Sequence, residues 1–224
     1  LNRGGAGLPC FHLELEPLDT EAANWQAGDI AEVKIPASPQ PLLREYSIAS
    51  IPEDGRLHLL VRQVRQQNGS LGTGSGWLTA GLAEGDMVAL RIRSNSGFHS
   101  PADARPLILI GNGTGIAGLR AHLRARARAG HSRNWLIFGE RNAAHDFHYH
   151  NEITSWLRNG LLERLDLAFS RDQAEKVYAQ DCLRAAADGL VDWLAQGAAI
   201  YVCGSAQTMA PAVDRVLHEL LGAD

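Results

Sequence analysis

The sequence has little of several features that would mark particular classes of protein. It has 3 cysteines in 224 residues, and their wide separation argues against a disulfide framework and against an iron–sulfur cluster held within the chain. There is no basic excess, since 21 Lys and Arg stand against 25 Asp and Glu, so nothing indicates a nucleic acid partner. No apolar run approaches the roughly 18–20 residues that cross a bilayer. We therefore expect a cytoplasmic chain without a membrane segment of its own.

The first part of the chain consists of short alternating segments and glycine turns. The segments lie at residues 11–16, 32–35, 57–64 and 88–93, and this close spacing is typical of an antiparallel barrel or sandwich. One helix is predicted among them, near residues 74–81. We predict an antiparallel β-barrel domain over residues 1–103.

The second part of the chain has a different pattern of predicted secondary structure. Apolar strands are predicted at residues 107–111, 135–139, 165–169 and 199–203, with helices at 116–129, 146–158, 180–196 and 207–221. Buried strands that alternate with helices indicate a parallel sheet, so we predict an α/β domain over residues 104–224. The arginine-rich segment 120–128 is expected to be the solvated face of a helix.

A glycine-rich turn, GNGTGIAGLR at residues 111–120, follows the first strand of the second part. Glycines let a backbone approach phosphate closely, and the N-terminus of the following helix supplies N–H groups and partial positive charge. The same turn could also be a tight strand–helix connection without a ligand.

Three further segments end at the same edge of the predicted sheet: FGERN (138–142), FSRD (169–172) and YVCGS (201–205). Ligands bind beyond the carboxyl ends of parallel strands. Five polar residues should gather there and suit the additional phosphate of NADP better than the bare ribose of NAD; they are Ser170, Arg171, Lys176, Tyr178 and Gln180. A solvated loop is the alternative.

Two segments of the first part carry polar groups in a regular pattern. REYSIAS (44–50) places Arg44, Tyr46 and Ser47 where they can meet one extended ligand, and GTGSGWL (72–78) offers small residues at the start of a helix. Together with GNGTGIAGLR, NWLIFGERN, DLAFSRDQAEKVYAQ and IYVCGSAQTMA, these strings resemble the ferredoxin–NADP reductase superfamily. The likeness is in particular to the FAD- and NADPH-binding modules of sulfite reductase flavoprotein and NADPH–cytochrome P450 reductase.

The resemblance implies roles for residues of both parts. In the first, Arg44 should meet the FAD pyrophosphate, Tyr46 should pack on the isoalloxazine, and Ser47 should lie near flavin N5. The helix start that should hold the FAD pyrophosphate comprises Gly74, Ser75 and Gly76. In the second, the residues that should face the NADP pyrophosphate are Gly113, Thr114 and Gly115, and the five polar residues named above should bind the 2′-phosphate and adenine end. Cys203 should lie beside the nicotinamide C4, although it could also be only a small buried apolar residue.

The sequence departs from the family pattern in three places. Asn112 and Gly118 stand where the turn usually has proline, which should loosen it. The insert that diflavin reductases carry before their RxYS segment is absent. The chain stops at Asp224, whereas relatives continue to an aromatic residue that stacks on the flavin, and it starts at Leu1 without a methionine. We expect it to be a piece of a longer polypeptide with an open nicotinamide face.

No metal site is predicted. The spacing of His145, His148 and His150 does not keep all three side chains on one face of a helix, and no cysteine joins them.

The resemblance implies an electron-transferring flavoprotein oxidoreductase. Hydride should pass from NADPH to FAD, and electrons then to an FMN domain, a flavodoxin-like protein or a haem protein. A free-standing flavin or ferric reductase with diffusible acceptors, and a nucleotide-binding domain without turnover, are the alternatives.

Overall fold

The computed structural model describes residues 1–5, 7–18, 24–37 and 39–222. Asp224, from which the open nicotinamide face was predicted, lies outside these residues. Within these ranges the first part forms five antiparallel strands, one α-helix, α1 (Thr73–Ala80), and two short 3-10 turns, Pro52–Asp54 and Ser96–Phe98. The strands are β1 (Cys10–Leu15), β2 (Ile30–Ile35), β3 (Leu42–Ser47), β4 (Leu57–Arg62) and β5 (Leu90–Arg93).

The antiparallel strands form two sheets around one core. β1 pairs with β4, while β3, β2 and β5 form the second sheet in that order. Val33 and Ile35 from the second sheet and Leu59 and Val61 from the first belong to the same cluster of buried side chains. Ile48 and Leu59 form an isolated bridge between the sheets. The predicted antiparallel character is confirmed; among the described residues, the strand ladders do not close into a continuous barrel.

The second part forms a four-stranded parallel sheet in the order β8, β7, β6, β9. Its strands are β6 (Leu107–Asn112), β7 (Asn134–Glu140), β8 (Arg164–Phe169) and β9 (Ala199–Cys203). The helices after α1 are α2 (Ile116–Ala129), α3 (Ala143–Asp146), α4 (His150–Arg158), α5 (Ala179–Ala185), α6 (Ala187–Ala195) and α7 (Met209–Leu221). The predicted parallel sheet is confirmed, and its division from the first part as a separate domain stays a prediction.

Two predicted helices are each interrupted once. The helix predicted at 146–158 begins only at His150, since Tyr149 has a positive φ of 59°, a backbone conformation that non-glycine residues seldom adopt. The helix predicted at 180–196 is divided at Ala186 into α5 and α6. Periodicity locates such helices but does not locate a break that packing imposes.

The expectation of a solvated arginine face on α2 is wrong for two of its arginines. Arg120 is 7% exposed and Arg126 is 2% exposed. Arg126 donates to the backbone carbonyls of Arg105, at 3.0 Å, and Arg133, at 3.3 Å. These arginines are buried because the interior supplies acceptors for their guanidinium groups, as buried charge requires.

An arginine network joins the two parts of the chain. Arg120 donates to the Ala49 carbonyl and to His58 Nδ1, both in the antiparallel part, and pairs with Glu152 on α4. Arg124 donates to both carboxylate oxygens of Asp54, at 3.0 and 2.8 Å. The network fixes α2 against both parts. No helix within the described ranges is long and apolar enough to span a membrane.

Candidate functional site

A cavity of about 840 Å³ opens at the carboxyl edge of the parallel sheet and extends to strand β3 of the antiparallel part. It brings together nine of the residues that the sequence selected. They are Tyr46, Ser47, Gly113, Thr114, Gly115, Ser170, Tyr178, Gln180 and Cys203. The cavity therefore unites residues from β3, the glycine turn, and the ends of β8 and β9.

The other predicted site residues lie outside this lining. Arg44 is exposed on β3, and a Cβ placed on Gly74 would lie 2.8 Å from Arg44 Cγ. The arginine stem therefore crosses the start of α1, so Arg44 and Gly74 are neighbours. Ser75 Oγ accepts from the Val64 amide at 2.9 Å, which ties α1 to the segment after β4. Gly76 is buried in the same turn of α1.

Arg171 and Lys176 are exposed beyond β8. The backbone around Arg171 is nevertheless held, because the Arg171 amide donates to the Arg141 carbonyl at 2.9 Å and the Ser170 amide to that of Glu140 at 2.9 Å. Neither cation forms an ion pair within the described part of the chain. Both side chains are available to an anion in solvent.

The glycine turn is built by close backbone contacts. β6 runs into a 3-10 turn, Gly113–Gly115, and then directly into α2. Gly113 has a φ of +55°, and a Cβ on Gly115 would overlap the backbone carbonyl of Cys203. Within the part of the chain that the structure describes, Asn112, at the N-cap of the turn, makes no capping hydrogen bond through its side chain, and Gly115, at the N-cap of α2, has no side chain to make one. The Ile116 amide donates to the carbonyls of Gly113 and Thr114, and the Gly118 amide faces Cys203, which leaves the first amides of the turn for a ligand, as at other anion sites of helix N-termini.

Asn112, one of the departures from the family pattern, ties the turn to the end of β9. Its Oδ1 accepts from the Ser205 amide at 3.2 Å. The second departure, Gly118, lies where a Cβ would be 3.3 Å from Cys203 Sγ and 3.5 Å from Ser47 Cβ. A glycine at this position lets α2 approach both side chains closely.

Ser47 and Cys203 meet at the base of the cavity. Ser47 Oγ lies 3.9 Å from Cys203 Sγ, so the ends of β3 and β9 converge although 156 positions separate the two residues. Burial raises the pKa of the Cys203 thiol, because a thiolate is poorly solvated there. The thiol is therefore neutral at neutral pH and can act as a weak donor or as an apolar contact, but not as a ready nucleophile.

Sequence reasoning missed Arg62, which also lines the cavity. It comes from the end of β4 and pairs with Glu140 at the end of β7. Glu140 and its neighbour Arg141 belong to the FGERN segment, whose position at the sheet edge was predicted. No sequence pattern indicated Arg62 as a site residue, because it reaches the cavity from the antiparallel part, whereas the predicted sheet edge belongs to the parallel part.

Among the described residues, the grouping with metal-ligand spacing is His12, Glu14 and His58. Arg56 donates to Glu14 at 3.1 Å, and Arg120 lies 3.2 Å from His58 Nδ1. Burial, followed by the neighbouring His58 and Arg120, lowers the pKa of His12 to about 4. Two fixed cations beside these groups oppose a further cation.

Comparisons with known proteins show what this chain is similar to. Residues 109–215 match the family model described as the oxidoreductase NAD-binding domain, which covers β7, β8, β9 and most of β6. The resemblance to the ferredoxin–NADP reductase superfamily is confirmed. The matched segment includes the glycine turn and Cys203, so this half of the chain is similar to a nicotinamide nucleotide-binding oxidoreductase domain.

Individual relatives extend the similarity into the antiparallel part. The sulfite reductase [NADPH] flavoprotein alpha-component of Mannheimia succiniciproducens is 40% identical over 209 residues, covering 90% of this chain and 34% of the relative. The protein of the same name from Neisseria meningitidis serogroup B is 43% identical over 185 residues, 80% of this chain and 31% of the relative. The chain thus spans about a third of the length of these curated relatives.

Proposed function

We propose that the chain is the FAD- and NADPH-binding reductase module of an electron-transferring flavoprotein. The observation that carries the proposal is the single cavity that joins β3 of the antiparallel part to the glycine turn and Cys203 of the parallel part. Hydride transfer between two cofactors needs both rings in one enclosed space. Residues 1–103 form the FAD-binding domain in this proposal, and residues 104–224 the NADP-binding domain.

The residues present fit a dinucleotide on the parallel side. The backbone of Gly113–Gly115 lines the cavity with uncapped amides, and Ser170, Tyr178 and Gln180 surround the far end. Arg171 and Lys176 stand exposed beyond this end and would pair with a 2′-phosphate, which makes NADPH the preferred coenzyme. The names of the relatives, which include NADPH, agree with this preference.

The flavin residues of the proposal lie on β3 and at the start of α1. Arg44, beside Gly74, would bind the FAD pyrophosphate together with Ser75 and Gly76. Tyr46 is half-buried beside the cavity, where its ring would pack against the isoalloxazine. Two separate phosphate cradles, at residues 74–76 and 113–115, favour FAD over FMN, which would need a single monophosphate pocket.

When bound, NADPH and FAD supply hydride exchange and the release of single electrons. The residues of the chain would orient the two cofactors relative to each other. Ser47 Oγ would hold a hydrogen bond at the reacting edge of the flavin, and the neutral thiol of Cys203 would line the approach of the nicotinamide without competing as a nucleophile. Because Gly118 has no side chain, the backbone of α2 can lie close to Ser47 and Cys203 without displacing either side chain.

The proposed electron acceptor is an FMN domain, a flavodoxin-like protein or a haem protein. The relatives are called alpha-components of sulfite reductase, so they act with at least one other component. In this proposal the chain takes electrons from NADPH and passes them to the acceptor within a larger polypeptide or assembly.

Reconstitution tests the proposal. The purified chain should bind one FAD per chain, and NADPH should bleach the flavin and reduce an artificial dye. Cys203→Ala should slow flavin reduction about tenfold or more at nearly unchanged nucleotide affinity, whereas Cys182→Ala, whose Sγ lies 3.8 Å from the Leu167 carbonyl away from the cavity, should not. Recovery of FMN alone would contradict the FAD assignment. Nucleotide binding without flavin reduction would favour a domain without turnover, and turnover of ferric complexes without any partner would favour a free-standing reductase.

A further inference from the structure

Two side chains in the cavity lining keep hydrogen-bond donors that the described residues do not use. Asn112, the last residue of β6, lines the cavity together with Ser205, which follows the end of β9. Asn112 Oδ1 accepts from the Ser205 amide at 3.2 Å, and a Cβ on Gly204 would overlap that oxygen. Since only the oxygen of a carboxamide accepts a hydrogen bond, this contact fixes how the amide group is turned. Its Nδ2 donates to none of the described residues.

The hydroxyl of Ser205 is the second donor. Ser205 Oγ accepts from the Thr208 amide at 3.2 Å and from Thr208 Oγ1 at 2.8 Å. A hydroxyl has two lone pairs and one O–H, so both lone pairs are engaged and the O–H has no acceptor within the described part of the chain. Thr208 thereby leaves the hydroxyl hydrogen of Ser205 for another group.

Both donors lie at the end of the cavity to which the proposed function assigns the adenosine. A Cβ on Gly139 would be 3.7 Å from Asn112 Cβ and 3.4 Å from the Ala179 amide nitrogen. Asn112 is therefore a close neighbour of the start of α5, where Tyr178 and Gln180 line the same cavity. A ligand that extends from the glycine turn to Tyr178 passes the side chain of Asn112.

We propose that Asn112 Nδ2 and the Ser205 hydroxyl bind an acceptor on the adenosine of the nicotinamide nucleotide, either a ring nitrogen of the purine or an oxygen of the ribose. The proposal rests on the proposed function, because it assumes that the cavity holds a dinucleotide. Neither donor is charged, so the pair suits an uncharged acceptor, whereas phosphate is bound most strongly by charged donors. Proline, which the family usually has at position 112, carries no side-chain donor. The contact is therefore one that this chain adds to the family pattern.

The test measures dissociation constants by calorimetry for three probes. NADP⁺ and 2′-AMP both contain the adenosine, and inorganic diphosphate contains none of it. Ser205→Ala removes the hydroxyl but keeps the amide that holds Asn112. It should weaken the binding of NADP⁺ and of 2′-AMP by the same factor, about threefold to tenfold, because one hydrogen bond between uncharged groups is lost. Asn112→Leu should weaken both by about tenfold, and diphosphate should bind both variants as it binds the unchanged chain.

Two further variants separate a donor from a structural role. Asn68→Leu is the matched control, because Asn68 Oδ1 also accepts from a serine amide, that of Ser70 at 3.0 Å, at an exposed position outside the cavity lining. It should leave all three dissociation constants unchanged. Asn112→Asp keeps an oxygen for the Ser205 amide but has no N–H, and it should weaken 2′-AMP binding at least as much as Asn112→Leu. If Asn112→Asp bound 2′-AMP as tightly as the unchanged chain, the donor role of Asn112 would be overturned.

A fourth probe, 2′-CMP, distinguishes the two acceptors. A loss in Ser205→Ala that is equal for 2′-CMP and 2′-AMP would assign the acceptor to the ribose, and a loss confined to 2′-AMP would assign it to the purine. A loss for diphosphate as large as that for 2′-AMP would overturn the inference, since the contact would then be to phosphate or to the shape of the turn. If the unchanged chain and both variants bound NADP⁺ and 2′-AMP equally, the inference alone would fail. If the unchanged chain bound neither, the proposed function would fail too.

Discussion

The two parts of the molecule support their site residues in different ways. In the parallel part, the side chains of Leu107, Ile108, Trp135 and Leu136 are all 0% exposed, and buried clusters cover both faces of the sheet. In the antiparallel part, β3 lies at a sheet edge and Leu43 is 54% exposed. The glycine turn therefore rests on a core that packs without a ligand, whereas Arg44 is exposed on an edge strand and Tyr46 is only partly buried against the antiparallel core. A ligand should order β3 more than the turn.

The largest expected effect follows from placing a methyl group in the glycine turn. Gly115→Ala would drive Cβ into the backbone of Cys203 and Gly204, and because backbone atoms cannot rotate aside as a side chain can, we expect a loss of about 3 kcal/mol in unfolding free energy. Nucleotide binding should be lost as well. Gly97→Ala is the control, since no atom lies within 4 Å of its added Cβ. Equal melting temperatures for the two variants would show that the turn is not rigid.

The second prediction concerns the arginines that connect the two parts. Arg120→Met removes a buried cation, leaves the Ala49 carbonyl without this donor, and leaves Glu152 with Arg124 as its remaining cation among the described residues, which should cost about 2 kcal/mol. Arg128→Met, on the same helix, breaks only an exposed pair with Glu53 and should cost little. Urea unfolding followed by near-UV circular dichroism measures both. We expect the first variant to separate the unfolding of the two parts, and one coincident transition would argue against that separation.

A third prediction sharpens the role of the parallel part in coenzyme choice. Arg171→Ala should reduce kcat/KM for NADPH about tenfold to a hundredfold, because charge-assisted hydrogen bonds to phosphate contribute roughly 1.5–3 kcal/mol each. NADH turnover should change little. Arg158→Ala, at the exposed end of α4, is the control for loss of a surface cation. Equal losses with both coenzymes would mean that Arg171 supports the fold rather than the phosphate.

The smallest expected effect is a change in acid stability. The ordinary pKa of histidine, 6.5, applies to the unfolded chain, and burial lowers that of His148 to about 4 in the folded chain. The unfolded state therefore binds the proton first, so this contribution to stability is complete above pH 6.5 and is lost as the pH falls towards 4.

His148→Leu should remove that loss. Both imidazole nitrogens are buried without a hydrogen-bond partner in the described part of the chain, so an apolar replacement leaves no polar group unsatisfied. We expect the variant to gain about 1 kcal/mol over the unchanged chain at pH 5.5, relative to their difference at pH 8. Denaturant titrations at the two pH values measure this, and parallel pH profiles would refute it.

Much of the fold and part of the candidate site could be predicted from local sequence. The glycine turn was predicted because its backbone requirements fall within a few consecutive positions, and α2 was predicted at its observed bounds, Ile116–Ala129. The convergence of Ser47 with Cys203 was implied by the family resemblance, since no local pattern relates residues 156 positions apart. The interruptions at Tyr149 and Ala186 were not predicted, because the chain on either side keeps the same helical periodicity.

The sequence by itself determined which segments become strands, helices and phosphate-binding turns, because periodicity, glycine content and capping act over short distances along the chain. Only the tertiary structure decided the environment of the charged residues. Arg120 and Arg128 lie two turns apart on one helix, yet the first is buried against the antiparallel part and the second is exposed. Arg62 meets Glu140 over 78 positions. Whether an arginine faces water, a carboxylate or a ligand depends on which residues the tertiary structure places next to its guanidinium group. Those residues are distant from it in the sequence.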